Sequence, residues 1–342
     1  MQFMSHAIGW EDCAMLAMAP LGILTIIISA IRVGGPMWMK ALIGRARENI
    51  AAAEIDLMSS TSRDVCELNN GKGIVRCQGS APVWEFIILL PGDTSRNDDA
   101  VPHTECEFDQ KPASSASPIT VVYDTREEAP NVSLNLQNST DRTEIRTFAI
   151  FGVGLQLGAL AFFAAMTFHP TFSLSFTIDG NPAPAYAFPL AAGGTILLVL
   201  GLLLCAHVVE SSTDKEIYAL ANGSSRMRIY WLQQEQTVSD QAFEAIATQP
   251  SSDRSNIIMS RRGHAHYRNS RLETKTSIGA VISIFGFVFQ FVGFRGMHSA
   301  APIGQLVAVA IMAASRAWLR RNLARGLRQT RLTPGHEVDW LA

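Results

Sequence analysis

Five runs of uncharged, mostly apolar residues constrain this chain more than any other feature. They cover residues 13–31, 147–168, 185–209, 278–294 and 299–318. Each is about 17–25 residues long, which at helical rise matches a hydrocarbon core of about 30 Å. No Asp, Glu, Lys or Arg falls inside the first four, and Arg316 sits only at the end of the fifth. Buried helices of large soluble proteins usually stop at about 10–14 apolar residues and keep a polar stripe. The runs therefore predict a mainly α, polytopic helical membrane protein with about five transmembrane helices.

The placement of basic residues gives the direction of crossing. Arg32, Lys40, Arg45 and Arg47 follow the first run. Nine more lie between the third and fourth runs, from Lys215 to Lys275, and Arg320, Arg321, Arg325, Arg328 and Arg331 follow the fifth. Residues 1–12 and 169–184 carry none, and the link between the last two runs holds only Arg295. Five crossings put every basic segment in the cytosol: 32–146, 210–277 and the basic tail 319–342. They leave 1–12 and 169–184 outside, in a plasma membrane or endomembrane. The fourth and fifth runs read as a tight hairpin, with a re-entrant pair as the rival. The first run could instead be a cleaved signal peptide, but Glu11 and Asp12 precede it where a positive region belongs. Sequons at Asn131, Asn138 and Asn222 all fall in cytosolic segments and are expected to stay unmodified.

Composition agrees. Mean hydropathy is +0.15, and 17% of residues are charged against about 25% in a typical globular chain. A net charge of -2 argues against a nucleic-acid partner. The five cysteines (Cys13, Cys66, Cys77, Cys106, Cys205) show no paired spacing of a disulfide framework.

The cytosolic segments read as a small mixed α/β module. A helix over 36–58 is expected from Met39, Ile43, Ala46, Ile50, Ala53 and Leu57, which recur at intervals of four and three. It would either pair with another helix as a coiled coil or lie at the interface with Trp38 at headgroup depth. Strands are expected over 73–77, 83–90, 119–123 and 227–238, with disorder over 91–118 and a short helix capped by Ser239 or Asp240 running to Thr248. The tail from Ala317 to Leu332 reads as a continued fifth helix. Leu319, Leu323 and Leu327 line one face and arginines cover the rest, either holding anionic lipids or simply anchoring the helix.

Little in the sequence suggests chemistry. His264 and His266 form H-x-H among arginines, and His103, Glu105, Cys106, Glu107 and Asp109 share the stretch expected to be disordered. Neither has the spacing of a structural zinc site. No phosphate-binding loop, H-E-x-x-H or G-x-S-x-G occurs, so no metal, cofactor or catalytic residue is assigned. Gln156, Gln290 and Gln305 are the polar side chains at depth, and Gln156 and Gln290 read first as interhelical hydrogen-bond partners. Gly154 and Gly158 read as a small-residue packing face, His207 and Glu210 as the surface end of the third span. Pro20 with Gly22 is placed to bend the first.

The stretch I-G-W-E-D-C at Ile8 to Cys13 resembles a set of uncharacterised fungal multi-pass membrane proteins. So do L-A-M-A-P-L-G-I-L-T from Leu16, R-A-R-E-N from Arg45, S-S-T-S-R-D-V-C-E-L from Ser59 and the closing G-H-E-V-D-W-L-A. The resemblance implies multi-pass proteins with long cytosolic parts that continue beyond this C-terminus; it implies no activity and supplies no site residue. The expectation is a non-enzymatic scaffold or receptor-like sensor. A small-solute channel or transporter is the alternative, and a membrane enzyme using the His103 to Asp109 cluster is a third. Expected partners are the lipid bilayer, anionic lipids at the basic tail, and a helix-mediated protein partner or a second copy.

Overall fold

The computed structural model describes residues 9–18, 22–90, 120–123, 128–136, 142–178, 180–219, 226–263, 270–319 and 327–341. They form two compact units. One comprises Met1–Val65, Gln137–Lys215 and Ser260–Arg325, the other Cys66–Leu136, Glu216–Met259 and Gly326–Ala342.

In the first unit the N-terminal run is not one helix. It is divided into α1 (Trp10–Met18) and α2 (Ile23–Gly34), with Gly22 between them at a φ of 88°. A left-handed glycine there starts α2 in a new direction. At 1.5 Å per residue α1 spans only about 13 Å and α2 about 18 Å, each well short of a hydrocarbon core. The expected single span over 13–31 is thereby corrected.

The expected helix over 36–58 is also broken. α3 (Met37–Leu42) stops before Gly44, at φ 72°, and α4 (Ile50–Leu57) restarts behind Asn49, whose side chain accepts from the Ala51 amide at 3.2 Å. Two such short helices offer no coiled-coil seam. Met37, Trp38 and Leu42 are exposed, while Met39, Ala53 and Leu57 are buried against α2 and its neighbours. A further short helix, α5 (Val132–Leu136), belongs to the second unit.

Four helices are long and apolar enough to cross a membrane. They are α6 (Arg142–Phe168), α8 (Ala187–Glu210), α9 (Ser270–Arg295) and α10 (Ala300–Leu319). The short α7 (Pro170–Ser175) lies between the first two, and only residues 296–299 join the last two; α9 packs against α8 and α10 against α6. α8 and α9 pack backbone to backbone. A methyl group at Gly194 would strike the Gln290 amide, at Gly286 the Leu198 amide, and at Gly293 the Ala191 amide. Without a hydrophobic driving force between helices in lipid, close approach at small residues is what holds such a pair. Gln290 adds a hydrogen bond, its Nε2 donating to Thr195 Oγ1 at 2.8 Å.

The second unit is antiparallel β with one short helix. β1 (Val65–Asn69) and β2 (Ile74–Gln78) form a hairpin. β3 (Val83–Leu90) pairs with β4 (Thr120–Tyr123) on one side and with β6 (Arg226–Gln233) on the other. β5 (Thr213–Ala219), which follows α8, pairs with β10 (Asn256–Arg262), which precedes α9. β7 (Gln236–Val238) and β8 (Gln241–Phe243) replace the helix expected after Ser239. Ser239 takes a φ of 59° and closes a two-residue hairpin loop, so the chain turns back instead of winding. β9 (Ile246–Pro250) joins β6, and β11 (Leu327–Arg331) joins β9, completing a five-stranded sheet in the order β11-β9-β6-β3-β4.

The tail is corrected by that last strand: α10 ends at Leu319, and residues 327–331 form a sheet edge rather than a basic helix. One sheet face packs Met227, Ile229 and Trp231 against Val132, Ile257 and Met259; the other packs Leu232 with Ala245, Ala247 and Leu332. α5 is held by Glu67, which accepts from the Ser133 amide at 2.7 Å and from its hydroxyl at 2.6 Å. The stretch over 91–118 expected to be disordered lies outside the described residues.

Candidate functional site

The break in the first apolar run places the polar groups of the helical unit. Met18, at the end of α1, accepts a hydrogen bond on its carbonyl from Gln156 Nε2 at 2.9 Å. Gln156 Oε1 in turn accepts from Gln305 Nε2 at 3.1 Å. The direction of this chain is forced: a carbonyl at one end can only accept, so each amide must present nitrogen toward α1. Gln305 Oε1 is then left buried without a donor. Gln156 stands midway along α6, with Gly152 beside Met18. The interhelical reading of Gln156 and Gln290 therefore holds, and Gln305 joins the first of them.

The outer ends of α1 and α2 lie elsewhere. Glu11 pairs with Arg146 at the start of α6 (3.4 Å), and Cys13 Sγ lies 3.9 Å from Glu210 at the end of α8. Gly34 faces Val208 on α8 and Leu272 and Thr276 on α9. Both outer ends thus meet the same end of the long helices while Met18 reaches their middle. α1 and α2 enter and leave the unit from one side.

A polar cluster sits at that shared end. Glu210 is approached by Lys215 Nζ at 3.8 Å and His207 Nδ1 at 3.6 Å, and Asp12 is buried close by. Burial pulls the Lys215 ammonium below the ordinary lysine range, and the Glu210 charge works against that shift. The expectation that His207 and Glu210 lie at the surface holds for the half-exposed His207 only.

Nearby, Arg32 is 4% exposed although it follows an apolar run. Its Nε and Nη2 grip Glu48 (3.0 and 2.6 Å), and Nη2 also donates to Asp56 at 2.9 Å. With Lys40, Asn49, Ile50 and Ala53, Arg32 and Glu48 line a small recess open to the surface. Glu54, wholly buried, accepts from Ser60 (2.8 Å), Ser62 (3.1 Å) and Arg262 (3.1 Å). Such arrangements fix chain geometry, since Arg32, Glu48, Asp56 and Glu54 each already hold a partner of this chain.

Other expectations resolve differently. Gly154 and Gly158 have nothing within 4 Å of where a side chain would begin, so they make no packing face within the chain; Gly152 does, against Met312. His264, His266 and the His103 to Asp109 cluster lie outside the described residues, among which no group of three or more His, Cys, Asp or Glu could hold a metal. Arg320, Arg321 and Arg325 are likewise outside them. Arg331 is on β11, paired with Glu244 at 3.1 Å. Cys13, Cys66, Cys77 and Cys205 are free and buried. Burial pushes the Cys66 thiol up to about 12. Because the thiolate is the reacting form, maleimide should modify Cys66 about a thousandfold more slowly than an ordinary cysteine. Mass spectrometry of the labelled native protein, with a denatured control, measures this.

No family model, no curated protein and no solved structure matches this chain.

Proposed function

We propose that the chain is a multi-pass membrane protein with four crossings that works as a non-enzymatic scaffold or receptor-like sensor, its sheet unit in the cytosol. The five-stranded sheet carries this reading. β3 and β4 precede α6, β6 and β9 lie between α8 and α9, and β11 follows α10. Hydrogen-bonded strands must share one side of a bilayer, so an even number of crossings separates each of these segments from the next. Two successive pairs of crossings, α6 with α8 and α9 with α10, satisfy that requirement. The same segments hold most of the Lys and Arg, which favours the cytosolic side.

The first run then adds no crossing. With both ends at the same level, α1 and α2 form a re-entrant hairpin, tolerated at depth because it is buried in protein. The N-terminus belongs with the sheet in the cytosol, in place of the outside position expected from five spans. Exposed Phe151, Leu157, Phe285 and Phe291 on the long helices suit lipid contact, and Trp38 on α3 suits the interface. The open Gly154 and Gly158 on α6 leave room for a helix of a partner or of a second copy.

An epitope tag at the N-terminus and a cysteine at Ser173 in α7 test the topology in sealed, right-side-out vesicles. The tag should resist external protease while the cysteine takes an impermeant reagent; a tag cleaved from outside removes the even count. Asn131, 3% exposed, should carry no glycan, so glycosidase should leave gel mobility unchanged. For the activity, capture of stable cytosolic partners by the intact chain supports the scaffold. Solute flux in reconstituted vesicles that is lost on Gln156→Leu supports the second reading, a small-solute channel, which the donor-less Gln305 Oε1 at the hairpin tip favours.

A further inference from the structure

Arg254, between β9 and β10, forms an antiparallel bridge with Met227. Its amide donates to the Met227 carbonyl at 2.8 Å, and the Met227 amide donates back at 3.2 Å. Residues opposite one another in such a pair project to one face. The Arg254 side chain therefore leaves the sheet on the face of Met227, Ile229 and Trp231. Asp253, one residue earlier, projects the other way and is taken by Arg228 at 2.8 Å. Among the described residues no acid pairs with Arg254. Its Nε and Nη2 are both buried and, among the described residues, both lack a hydrogen-bond partner. Burial draws its pKa below the ordinary arginine value, with no carboxylate acting in the other direction.

The chemistry of those two atoms is specific. Nε–H and Nη2–H lie on one edge of the guanidinium, the edge that grips phosphate or carboxylate with two parallel bonds. Arg32 uses that same edge on Glu48, whereas in Arg254 it is free. Arg254 as a whole is partly exposed, but a guanidinium cannot shed its proton to escape burial, and N–H groups cut off from water without an acceptor are costly. Among the described residues none supplies a counter-charge to it, and a bound anion would.

We propose that Arg254 anchors an oxyanion site in the sheet unit and takes a phosphate group on its Nε/Nη2 edge. Ile87 and Leu89, half-buried on the same face opposite Ile229 and Met227, give the site an apolar flank. That flank suits a phosphate carried on an apolar molecule, a phospholipid headgroup, and it also accepts free phosphate.

The test uses the full chain in two arms. In detergent, inorganic phosphate is titrated while melting temperature and heat of binding are followed. In nanodiscs without phosphate, phosphatidylcholine alone is compared with phosphatidylcholine containing phosphatidic acid. The wild type should show saturable stabilisation in at least one arm, and the arm that responds identifies the source. Arg254→Met should weaken that response at least tenfold. Arg254→Lys, which keeps the charge but loses the fork, should lose most of it. Comparison with Arg254→Met also removes the general salting effect of phosphate. Without any phosphate, Arg254→Met should melt at or above the wild-type temperature, because an uncompensated buried charge has gone. The site is refuted if neither arm stabilises the wild type, or if wild type and Arg254→Met respond alike. It is equally refuted if Arg254→Met without ligand melts lower or fails to fold, which would reveal an internal counter-charge.

Discussion

Gly286→Leu is expected to destabilise the helical unit by about 3 kcal/mol or more, the range of severe overpacking. Gly286 faces the backbone of Leu197 and Leu198 on α8, so a side chain there meets main chain and not a movable side-chain tip. Relief requires α8 and α9 to separate. Separation would also open the Gly194 and Gly293 contacts and pull Gln290 from Thr195. Gly158→Leu on α6 is the matched control, since nothing lies within 4 Å of that position. It should change stability by no more than about 0.5 kcal/mol, as for substitutions away from packed features. Loss of the monodisperse peak in size-exclusion chromatography on heating, measured for both variants, reads the difference. Equal losses would show that the α8/α9 contact is not the centre of the unit.

Arg32→Met is expected to cost about 3–5 kcal/mol, the range for breaking a buried ion pair from one side. Its guanidinium, 3% exposed at the side chain, is shared between Glu48 and Asp56, and Glu48 is itself 9% exposed. Methionine fills much of the volume but leaves the Glu48 carboxylate with the exposed Arg45 at 3.2 Å and the charge of Lys40 nearby. The turn between α3 and α4, which these bonds close, should then loosen. Limited proteolysis between residues 42 and 50 detects that locally, and thermal unfolding gives the magnitude. A double variant, Arg32→Met with Glu48→Gln, should recover part of the loss because no unpaired charge stays buried.

Much of the helical unit could be read from charge-free length alone. A run such as 185–209 has no polar stripe with which to face water, so its existence and type follow from composition. The short link between α9 and α10 is equally legible in the sequence, but not that α10 turns to α6 and leaves α9 to α8. The first run is long enough to be read as one helix, yet it is divided in two at Gly22. Pro20 and Gly22 signalled a bend, but whether a bend deflects a span or reverses it depends on what the two halves meet. Arg146, Glu210 and Leu272 settle that, and they lie far from α1 and α2 in sequence.

The tail failed for a related reason. Leu319, Leu323 and Leu327 do fall on a helical face, yet β9 offers an open edge, and a ladder of backbone hydrogen bonds outweighs a weak helical propensity. Among the polar groups, Gln156 and Gln290 could be named from depth and chemistry, but their partners could not. Arg254 could not be found at all, because a lone arginine in a strand-and-loop segment looks solvated until its neighbours prove to be apolar. The glycines show the same limit. Gly154 and Gly158 carry the familiar small-residue spacing and stand open, whereas Gly279, Gly286 and Gly293, spaced seven apart on α9, meet Gly201, Leu198 and Ala191 on α8.

The apolar runs, by themselves, determined that long uncharged helices dominate the chain and that basic segments alternate with them, since length and charge act on each segment alone. Tertiary structure decided how many of those runs are long enough to cross, which glycines touch a neighbour, and where the tail pairs. The first apolar run, undivided in sequence, became two short helices because each half found its partners at the same end of the bundle. Contacts between distant segments set these outcomes, and no local pattern encodes which distant segment will be there.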